Sequence, residues 1–449
     1  MSTTASTPAG IPSATGRKAP SSHEPATGKG ALWRTLLGTG IGNAVEWYDW
    51  AVYATFTPFL AGALFNPQDP TSAVLSILAI FAVGFVARPF GGFLFGWIGD
   101  RIGRKTSMTL AVGLASLGSL VIAVAPTYGL AGAWASLTLL VARLLQGLAH
   151  GGELPSSQTY LSEMAPKEKR GFWATLIYTS GTAGILFGTL LGAIMTTALP
   201  KAEMQAWGWR VPFAIGAVLG LYALFMRARL HETEIFAEED SATKRAPIWP
   251  QIVRYRKQAL QVIGLTVGLT VIYYIWGVVA PSYAATSLHM DRGAALWAGV
   301  VGNIVFIAAL PFWGKLSDKI GRKKVLLSGA IGTAVLHFPM TWLLKDSPWQ
   351  LAVSMSVMLI FIAASAAIVP AVYAELFPTS IRTVGVGVPY SICVAVFGGT
   401  APYLQTWLAS INVGVLFNVY AVVLLLVSAL FVLTIPETKG KDLNEVPAA

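Results

Sequence analysis

Cysteine and charge are both scarce in this sequence of 449 residues. Its one cysteine, Cys393, lies in an apolar run, so disulfides, zinc fingers and iron–sulfur clusters within one chain are excluded. Charged residues make up only 12% of the chain, about half of the share that a soluble protein carries. Hydrophobic residues make up 55%, and the mean hydropathy is +0.62. The composition therefore indicates an integral membrane protein.

The basic residues do not indicate nucleic-acid binding, although the net charge is +10. They fall in short segments between apolar stretches, where membrane topology places them. We predict twelve membrane-spanning helices, because that many apolar stretches are each long enough to cross a bilayer. The stretches are 37–62, 73–97, 106–125, 136–160, 172–197, 210–227, 259–283, 294–313, 325–344, 350–373, 384–408 and 412–434.

Orientation and domain organisation follow from the same pattern. With both termini in the cytoplasm, 25 of the 31 lysines and arginines lie in cytoplasmic segments, as the positive-inside rule requires. Residues 1–30 are rich in Ser, Thr, Ala, Pro and Gly and have no apolar signal-peptide core, so we expect a disordered tail there. The predicted divisions are this tail (1–30), an N-terminal six-helix lobe (31–227), a cytoplasmic linker (228–257), a C-terminal six-helix lobe (258–436) and a short cytoplasmic tail (437–449).

Two short charged motifs occur twice in the same order. The block that starts at Gly96 recurs 218 positions later at Gly314, with six of its ten residues identical. A block that starts at Glu163 and ends at Arg170 recurs 212 positions later, from Glu375 to Arg382. Such repetition indicates two homologous halves, which is typical of duplicated membrane transporters.

These motifs resemble those of the major facilitator superfamily. The resemblance lies in the Gly-Asp-Arg-x-Gly-Arg-Lys loop after helix 2, in its repeat after helix 8, and in the run from Arg143 to Gly147. Three further motifs are similar to the metabolite:proton symporter branch, namely Gly42–Asp49, Arg88–Gly92 and Gln146–Glu153. The resemblance implies an all-α fold of two six-helix lobes with both termini cytoplasmic. It also implies proton-coupled permeases for ketoglutarate, citrate, shikimate, proline or betaine, which usually work as monomers.

Ionisable residues inside predicted spans are costly to insert and are therefore functional candidates. All of them lie in the first half: Glu46, Asp49, Arg88, Arg143 and Glu153. Glu46 and Asp49 are three positions apart on one helical face, and we expect this stripe, extended by Asn43 and Tyr53, to face a central cavity. Crowded carboxylates in a low dielectric medium can gain and lose a proton near neutral pH. The alternative is that both acids are permanently paired with the arginines and only hold helices together.

The buried arginines need neutralising partners, because guanidinium groups keep their protons. Arg143 is the favoured responder to substrate or to a protonation event, whereas Arg88, which precedes Pro89, could be a structural partner of helix 1. Glu153 could equally be a second proton site or an acid with a purely structural role in helix 4. His150 reads first as a hydrogen-bonded packing residue and second as a pH switch.

The repeated loops are predicted to form a cytoplasmic latch between the lobes. Carboxylates near helix N-termini, or paired with arginines across the lobe boundary, would stabilise one arrangement of helices. The alternative is that these charges are solvated and serve only as a signal for membrane topology. The latch residues are Asp100, Arg101, Arg104, Lys105, Glu163 and Arg170 in the first half, and Asp318, Arg322, Lys323, Glu375 and Arg382 in the second.

The second half should contribute neutral and aromatic residues to the cavity. The candidates are Tyr273, Tyr274, Trp276, Asn303 and Tyr390, each of which could instead be a packing residue. Buried arginines without surplus acids favour an anionic substrate, so a small organic acid is expected first and a zwitterion such as proline or betaine second. The glycines of helix 5, from Gly181 to Gly188, predict close helix packing.

Other functional classes fit less well. The sequence has no nucleophile, metal-cluster or cofactor motif that would suit an enzyme, so we expect no cofactor, with a proton as the coupling ion. A channel would not need duplicated halves with latch loops. A proton-driven exporter is the serious rival, but residues 172–197 lack the proline of the exporters' helix-5 motif, which favours inward symport. The expected partners are a small-molecule substrate and the lipid bilayer.

Overall fold

The computed structural model describes residues 29–66, 68–101, 104–151, 153–228, 253–378 and 381–443. The predicted tail 1–30 and linker 228–257 lie almost wholly outside these ranges. Two compact units are present, Met1–Gly38 and Thr39–Ala449, and every contact of the candidate site lies within the second. The ordered backbone of the described ranges is helical and contains no β-strand.

The described residues of the first half form six long helices and the short helix Tyr128–Ala131, which precedes helix 4. Helix 4 is interrupted around Gly151, and helix 6 is preceded by the short pieces Lys201–Glu203 and Met204–Gly208. The helices are helix 1, Lys29–Leu64; helix 2, Pro70–Arg101; helix 3, Arg104–Ala123; helix 4, Ala133–Ala149 and Glu153–Met164; helix 5, Arg170–Ala198; and helix 6, Arg210–Ala228.

The second half repeats the pattern with six more helices. Helices 7 and 11 each change midway into a π-helical turn before continuing. The helices are helix 7, Arg256–Tyr273, Tyr274–Val279 and Ala280–Ser287; helix 8, Arg292–Ile320; helix 9, Arg322–Leu343; helix 10, Pro348–Leu376; helix 11, Arg382–Cys393, Val394–Gly398 and Ala401–Ser410; and helix 12, Val415–Thr434.

The prediction of twelve spans is confirmed. Within the described ranges, nine helices are long and apolar enough to cross a membrane, and Thr109–Ala123 and Ala133–Ala149 are shorter apolar helices. Helix 1 has 36 residues, which is long enough to be the twelfth span. The fold is an all-α integral membrane fold.

Helices 5 and 8 run antiparallel along the boundary between the lobes. Near the outer end, Ala193 packs with Leu296 and Val300 in a buried apolar cluster. Near the cytoplasmic end, a Cβ added to Gly314 would lie 2.5 Å from the Thr175 methyl carbon, so the two helices touch there too. The two helices therefore touch near both of their ends.

Glycines set how closely helix 2 approaches helix 4. A Cβ on Gly147 would lie 2.1 Å from the Gly84 carbonyl oxygen, and one on Gly151 would lie 2.0 Å from the Arg88 carbonyl oxygen. Helix 5 uses the same device against helix 1, because a Cβ on Gly184 would lie 2.0 Å from the Ala44 carbonyl oxygen. The prediction of close packing from the glycines of helix 5 is confirmed, and the close approach brings the charged residues of helices 1, 2 and 4 together.

We expect Gly147→Ala to lower the stability of the protein by about 1–3 kcal/mol, because the added methyl group would overlap the backbone of helix 2. The melting temperature of the purified protein in detergent measures this. The matched control is Gly129→Ala, since a Cβ on Gly129 has no atom within 4 Å. Equal melting temperatures for the two variants would contradict the role assigned to Gly147.

Candidate functional site

Two arginines, one partly exposed and one fully buried, pack on the same tryptophan in the N-terminal lobe. The guanidinium carbons of Arg88 on helix 2 and Arg143 on helix 4 lie 4.2 and 4.0 Å from the ring centre of Trp50 on helix 1. A second ring supports each cation: Phe85 lies 4.4 Å from Arg88, and Tyr53 lies 4.3 Å from Arg143. Aromatic faces attract cations, but rings carry no net charge. Carboxylates are still needed to neutralise the pair.

Asp49 is held in a chain of hydrogen bonds that leads to Arg143. Its carboxylate accepts hydrogen bonds from the Ser119 hydroxyl and the Gln146 amide, each over 2.7 Å. Gln146 in turn accepts a hydrogen bond of 2.8 Å from Arg143 Nη1. Asp49, Gln146 and Arg143 are all buried. Gln146 therefore acts as a relay, because its amide links the Asp49 carboxylate of helix 1 to the Arg143 guanidinium of helix 4 by hydrogen bonds.

Glu46 partners the other arginine. Glu46 Oε1 lies 3.6 Å from Arg88 Nη2, and the Glu46 side chain is only 2% exposed, against 11% for Arg88. This contact is longer than the hydrogen bonds of Asp49, and it links two charges directly without a neutral intermediary. The two acids of helix 1 therefore serve different arginines, Glu46 through an ion pair and Asp49 through a relay.

A cavity lies beside this cluster, between the two lobes. Its volume is about 30 Å³, so in this conformation it has room for only about two water molecules. Helices 1, 2 and 5 form one side, and helices 7, 10 and 11 form the other. Its lining consists of Trp47, Trp50, Ala51, Arg88, Tyr178, Ile185, Thr266, Leu269, Thr270, Tyr273, Tyr274, Val278, Tyr373 and Tyr390.

Four of the predicted site residues line the cavity: Arg88, Tyr273, Tyr274 and Tyr390. Arg143, the favoured responder, lies behind Trp50 with its side chain fully buried. Arg88 is the arginine at the cavity wall. The side chain of Glu153 lies outside the described residues.

The expectation that the polar stripe of helix 1 faces the cavity is wrong for this conformation. Asn43 donates to the Ile177 carbonyl and to the Ser180 hydroxyl of helix 5, over 2.7 and 2.9 Å. Tyr53 donates to the Ile77 carbonyl of helix 2 over 2.9 Å. Helix 1 packs against several helices, and Asn43 and Tyr53 form hydrogen bonds with helices 5 and 2. Trp47, Trp50 and Ala51 are the helix 1 residues that line the cavity.

Two second-lobe candidates also lie away from the cavity lining. Asn303 donates to the Gly299 carbonyl of its own helix over 3.0 Å. Trp276 donates from its indole nitrogen to His337 Nδ1 over 3.4 Å. Both residues are buried, so here they are packing residues of the second lobe.

Sequence reasoning passed over several lining residues and one relay. Trp47 and Gln146 stood within the motifs that carried the family resemblance, so a signal for them existed. Tyr178 and Tyr373 lay in apolar runs that gave no reason to single them out. They meet only because helices 5 and 10 are brought together by the fold.

The predicted contacts across the lobe boundary are present at the cytoplasmic ends, and they are reciprocal. Arg170 of the first half binds Glu375 of the second over 3.0 Å, and Arg382 of the second half binds Glu163 of the first over 2.5 Å. Each arginine also donates from Nε to a carbonyl eight residues earlier in its own half. The 212-residue repeat therefore reappears as an exchanged pair of salt bridges.

Asp318, in the last turn of helix 8, joins the same network. Its carboxylate accepts hydrogen bonds from the backbone N–H groups of Gly171 and Phe172 at the start of helix 5, each over 2.9 Å. Arg322 binds Asp318 over 2.7 Å and Glu375 over 3.5 Å. A carboxylate at a helix N-terminus is favourable because it meets unpaired N–H groups and the positive end of the helix dipole.

Residues 435–443, after helix 12, lie across this network and form what we call the C-terminal segment. The Lys441 and Leu443 carbonyls accept hydrogen bonds from Arg170 and Arg382, each over 2.9 Å. Thr438 donates to Glu375 over 2.5 Å. One stretch of backbone therefore engages both exchanged arginines.

Glu437 of the same segment caps the start of helix 9. It accepts hydrogen bonds from the backbone N–H groups of Arg322 and Lys323, over 2.8 and 3.2 Å. Partial burial raises the pKa of Glu437, but hydrogen bonds from backbone N–H groups lower it by more. Its pKa therefore lies below the ordinary value. Lys323 donates to the Leu433 carbonyl of helix 12 over 3.1 Å. The side chains of Asp100, Arg101, Arg104 and Lys105 lie outside the described residues.

Comparisons with known proteins identify the family. The model of the sugar (and other) transporter family matches residues 36–247 and 231–449. The α-ketoglutarate permease of Escherichia coli (strain K12) is 36% identical over 415 residues, which cover 92% of this chain and 95% of that protein. The proline/betaine transporter of the same strain is 30% identical over 437 residues, covering 94% and 87%.

Solved structures show the same fold at lower identity. A crystal structure of a D-xylose–proton symporter has a TM-score of 0.70 at 22% identity, covering 91% of this chain and 99% of the other. A partially occluded inward-open conformation of the xylose transporter from E. coli also has a TM-score of 0.70, at 19% identity, covering 92% and 100%.

The fold and the inter-lobe cavity define a secondary transporter of the major facilitator superfamily. The chain belongs to the sugar (and other) transporter family within it. It is a multi-pass protein of the cell (inner) membrane that acts on a small-molecule substrate. Its twelve helices form the two six-helix lobes, with both termini cytoplasmic, that the sequence predicted.

The two exchanged salt bridges should differ in strength, because Glu375 is fully buried whereas Glu163 is 37% exposed. We expect Glu375→Gln to cost about 3–5 kcal/mol, since it removes the charge partner of the buried Arg170. Glu163→Gln should cost about 1 kcal/mol or less. The melting temperatures of the two variants measure the difference.

Accessibility gives a second measurement of the same contrast. A cysteine placed by Ala174→Cys, one turn inside Arg170, would be labelled by a membrane-permeant maleimide in a Cys393→Ser background. Labelling should become faster with Glu375→Gln than with Glu163→Gln. Identical labelling rates and melting temperatures for the two variants would contradict the assignment.

Proposed function

We propose that the protein takes up a small organic acid together with a proton, by alternating access. The observation that carries this proposal is the ion pair of Arg88 and Glu46 at the wall of the inter-lobe cavity. A guanidinium group suits a carboxylate because it offers parallel N–H donors. Arg88 is therefore the proposed anchor for the substrate carboxylate.

The same ion pair supports coupling to protons. A substrate carboxylate on Arg88 would place two negative charges, its own and that of Glu46, around one cation. Two carboxylates close together in a low dielectric medium repel, and the repulsion is relieved when one takes up a proton. Glu46 is the proposed proton carrier, because it contacts Arg88 directly. Substrate binding then promotes protonation and protonation promotes substrate binding, as linkage requires.

Asp49 and Arg143 are assigned a supporting role in this proposal. Short hydrogen bonds from Ser119 and Gln146 tie Asp49 to helices 3 and 4. Arg143 shares the Trp50 ring with Arg88. A change in the charge balance around Arg88 would therefore affect Arg143 through the Trp50 ring. In this way, substrate binding at Arg88 would influence helix 4.

The cytoplasmic network supplies the proposed latch. The exchanged salt bridges and the Asp318 contacts join the lobes below the cavity. Above it, the Ser282 hydroxyl of helix 7 donates to the Ala54 carbonyl of helix 1 over 2.5 Å. The cavity lies between the two closures, so inward release would require the cytoplasmic contacts to break while the outer contact persists.

A zwitterionic substrate is the second candidate. Seven aromatic side chains line the cavity, and aromatic faces attract an ammonium group. Relatives named as proline/betaine transporters are consistent with it, including a putative one from Staphylococcus haemolyticus (strain JCSC1435) that is 35% identical over 393 residues. In either case we propose that the coupling ion is a proton, that no cofactor takes part and that the protein works as a monomer.

The test is uptake into proteoliposomes with and without an inward proton gradient. The wild-type protein should accumulate its substrate only with the gradient. Glu46→Gln should lose accumulation yet retain exchange of labelled for unlabelled substrate, because exchange needs no net proton movement. Arg88→Lys should lose affinity, since it removes the planar fork that a carboxylate prefers.

The matched control is Glu203→Gln, which changes an exposed acid outside the cavity and should accumulate substrate normally. Gradient-driven accumulation by Glu46→Gln at the wild-type level would remove Glu46 from the coupling step. Proton-driven extrusion of substrate, in place of uptake, would replace the symporter with an exporter.

A further inference from the structure

The charges that face the cavity set a limit on its substrate. Among the described residues that line it, Arg88 is the only one with an ionisable acidic or basic side chain, apart from the tyrosines. The remaining lining consists of aromatic rings, aliphatic side chains, and the hydroxyl groups of Thr266 and Thr270. One carboxylate of a bound molecule can therefore find a cation in the wall.

Arg143 cannot serve a second carboxylate in this conformation. Its side chain is fully buried. The ring centres of Trp50 and Tyr53 lie 4.0 and 4.3 Å from its guanidinium carbon. Its Nη1 atom is already bonded to Gln146. Trp50 also lines the cavity, so the indole stands between the space and this second cation.

The opposite wall offers no cation among its described residues. It is built from Tyr273, Tyr274, Tyr373 and Tyr390, with threonines between them. Two of the phenol groups are engaged within the protein: Tyr273 with Thr182 over 3.2 Å, and Tyr373 with Thr266 over 2.5 Å. Such rings favour an apolar or cationic body and cannot neutralise an anion.

We infer that the cavity takes a carboxylate with a single negative charge, whose body carries no second anionic group, and that it discriminates against dicarboxylates. This inference rests on the proposed carboxylate site at Arg88. A second carboxylate would be moved from water into an aromatic wall without a counter-ion, and an unpaired buried charge is strongly unfavourable. Simple monocarboxylates and zwitterions both satisfy the limit, because neither brings a second negative charge.

Matched pairs of ligands test the inference on the wild-type protein. The members of each pair are similar in structure and differ by one ionised carboxylate: 2-oxopentanoate with 2-oxoglutarate, monomethyl succinate with succinate, and benzoate with terephthalate. Glycine betaine represents the zwitterions. Binding to the purified protein in lipid nanodiscs is measured by calorimetry at neutral pH, where both carboxylates of each diacid are ionised.

We expect the singly charged member of at least one pair to bind with an affinity at least about tenfold higher than its diacid, a difference of about 1.4 kcal/mol. Glycine betaine alone binding among the panel would also support the inference. Tighter binding of a diacid than of its matched monoacid would overturn it, and so would binding by no monoacid and no zwitterion in the panel.

A second cation placed in the wall should weaken the preference for the singly charged ligand. Thr270→Lys adds an ammonium group on the helix 7 side, and Thr270→Met adds a chain of similar length without the charge. The ratio of diacid to monoacid affinity should rise about tenfold in Thr270→Lys relative to Thr270→Met. An unchanged ratio in a folded Thr270→Lys protein would contradict the inference, and if that variant fails to fold, the wild-type pairs still decide.

The outcomes separate this inference from the proposed function. Proton-driven uptake of a diacid in preference to its monoacid would leave the symport proposal standing and remove the charge limit. Selective binding of monoacids without proton-driven uptake would do the opposite.

Discussion

Two guanidinium groups packed on one tryptophan require two negative charges nearby, and the organisation of the first lobe follows from that requirement. Helix 1 supplies both carboxylates, Glu46 and Asp49. Glu46 meets Arg88 directly, whereas Asp49 meets Arg143 through Gln146. The charges balance within the cluster, so no counter-ion from the second lobe is needed. The second lobe is thus free to present rings and hydroxyl groups to the cavity.

The difference between the two arginines gives the cluster its direction. Arg88 has a face on the cavity and a single long contact with Glu46, while Arg143 is sealed behind Trp50. A ligand that enters the cavity can compete for Arg88 only. Because both cations pack on the same ring, we propose that a change at Arg88 affects Arg143 without a contact between the ligand and helix 4.

The closure below the cavity depends on the duplication of the chain. In the exchanged salt bridges each half contributes one acid and one arginine, and both bridges cross the lobe boundary. Helices 5 and 8 lie between these salt bridges and the outer contacts, in touch along most of their length. Movement of the lobes would therefore exchange one closure for the other around a cavity that stays in place. The C-terminal segment, bound to both exchanged arginines, would have to release when the cytoplasmic side opens.

Much of this was accessible from the sequence, because it depends on local pattern. Apolar length predicted the twelve spans, and the repeated blocks predicted Glu163, Arg170, Glu375 and Arg382 as partners across the lobe boundary. Periodicity on helix 1 grouped Glu46 with Asp49, but it could not tell which neighbour each would meet.

The part that could not be predicted depends on long-range packing. Helix 1 lies among other helices, so a polar face does not imply a cavity face. The relay through Gln146 joins residues 97 positions apart. The two arginines were ranked in the opposite order to their exposure, because the shielding of Arg143 by Trp50 depends on how helices 1, 2 and 4 cross.

The central claim is that a carboxylate on Arg88 and a proton on Glu46 bind together. The most direct measurement is the proton balance of substrate binding, recorded as the pH change when substrate is added to the purified protein in weakly buffered solution. The account predicts the uptake of about one proton for each substrate molecule bound, since the two events are thermodynamically linked. Saturable substrate binding with no proton uptake, or with proton release, would contradict it.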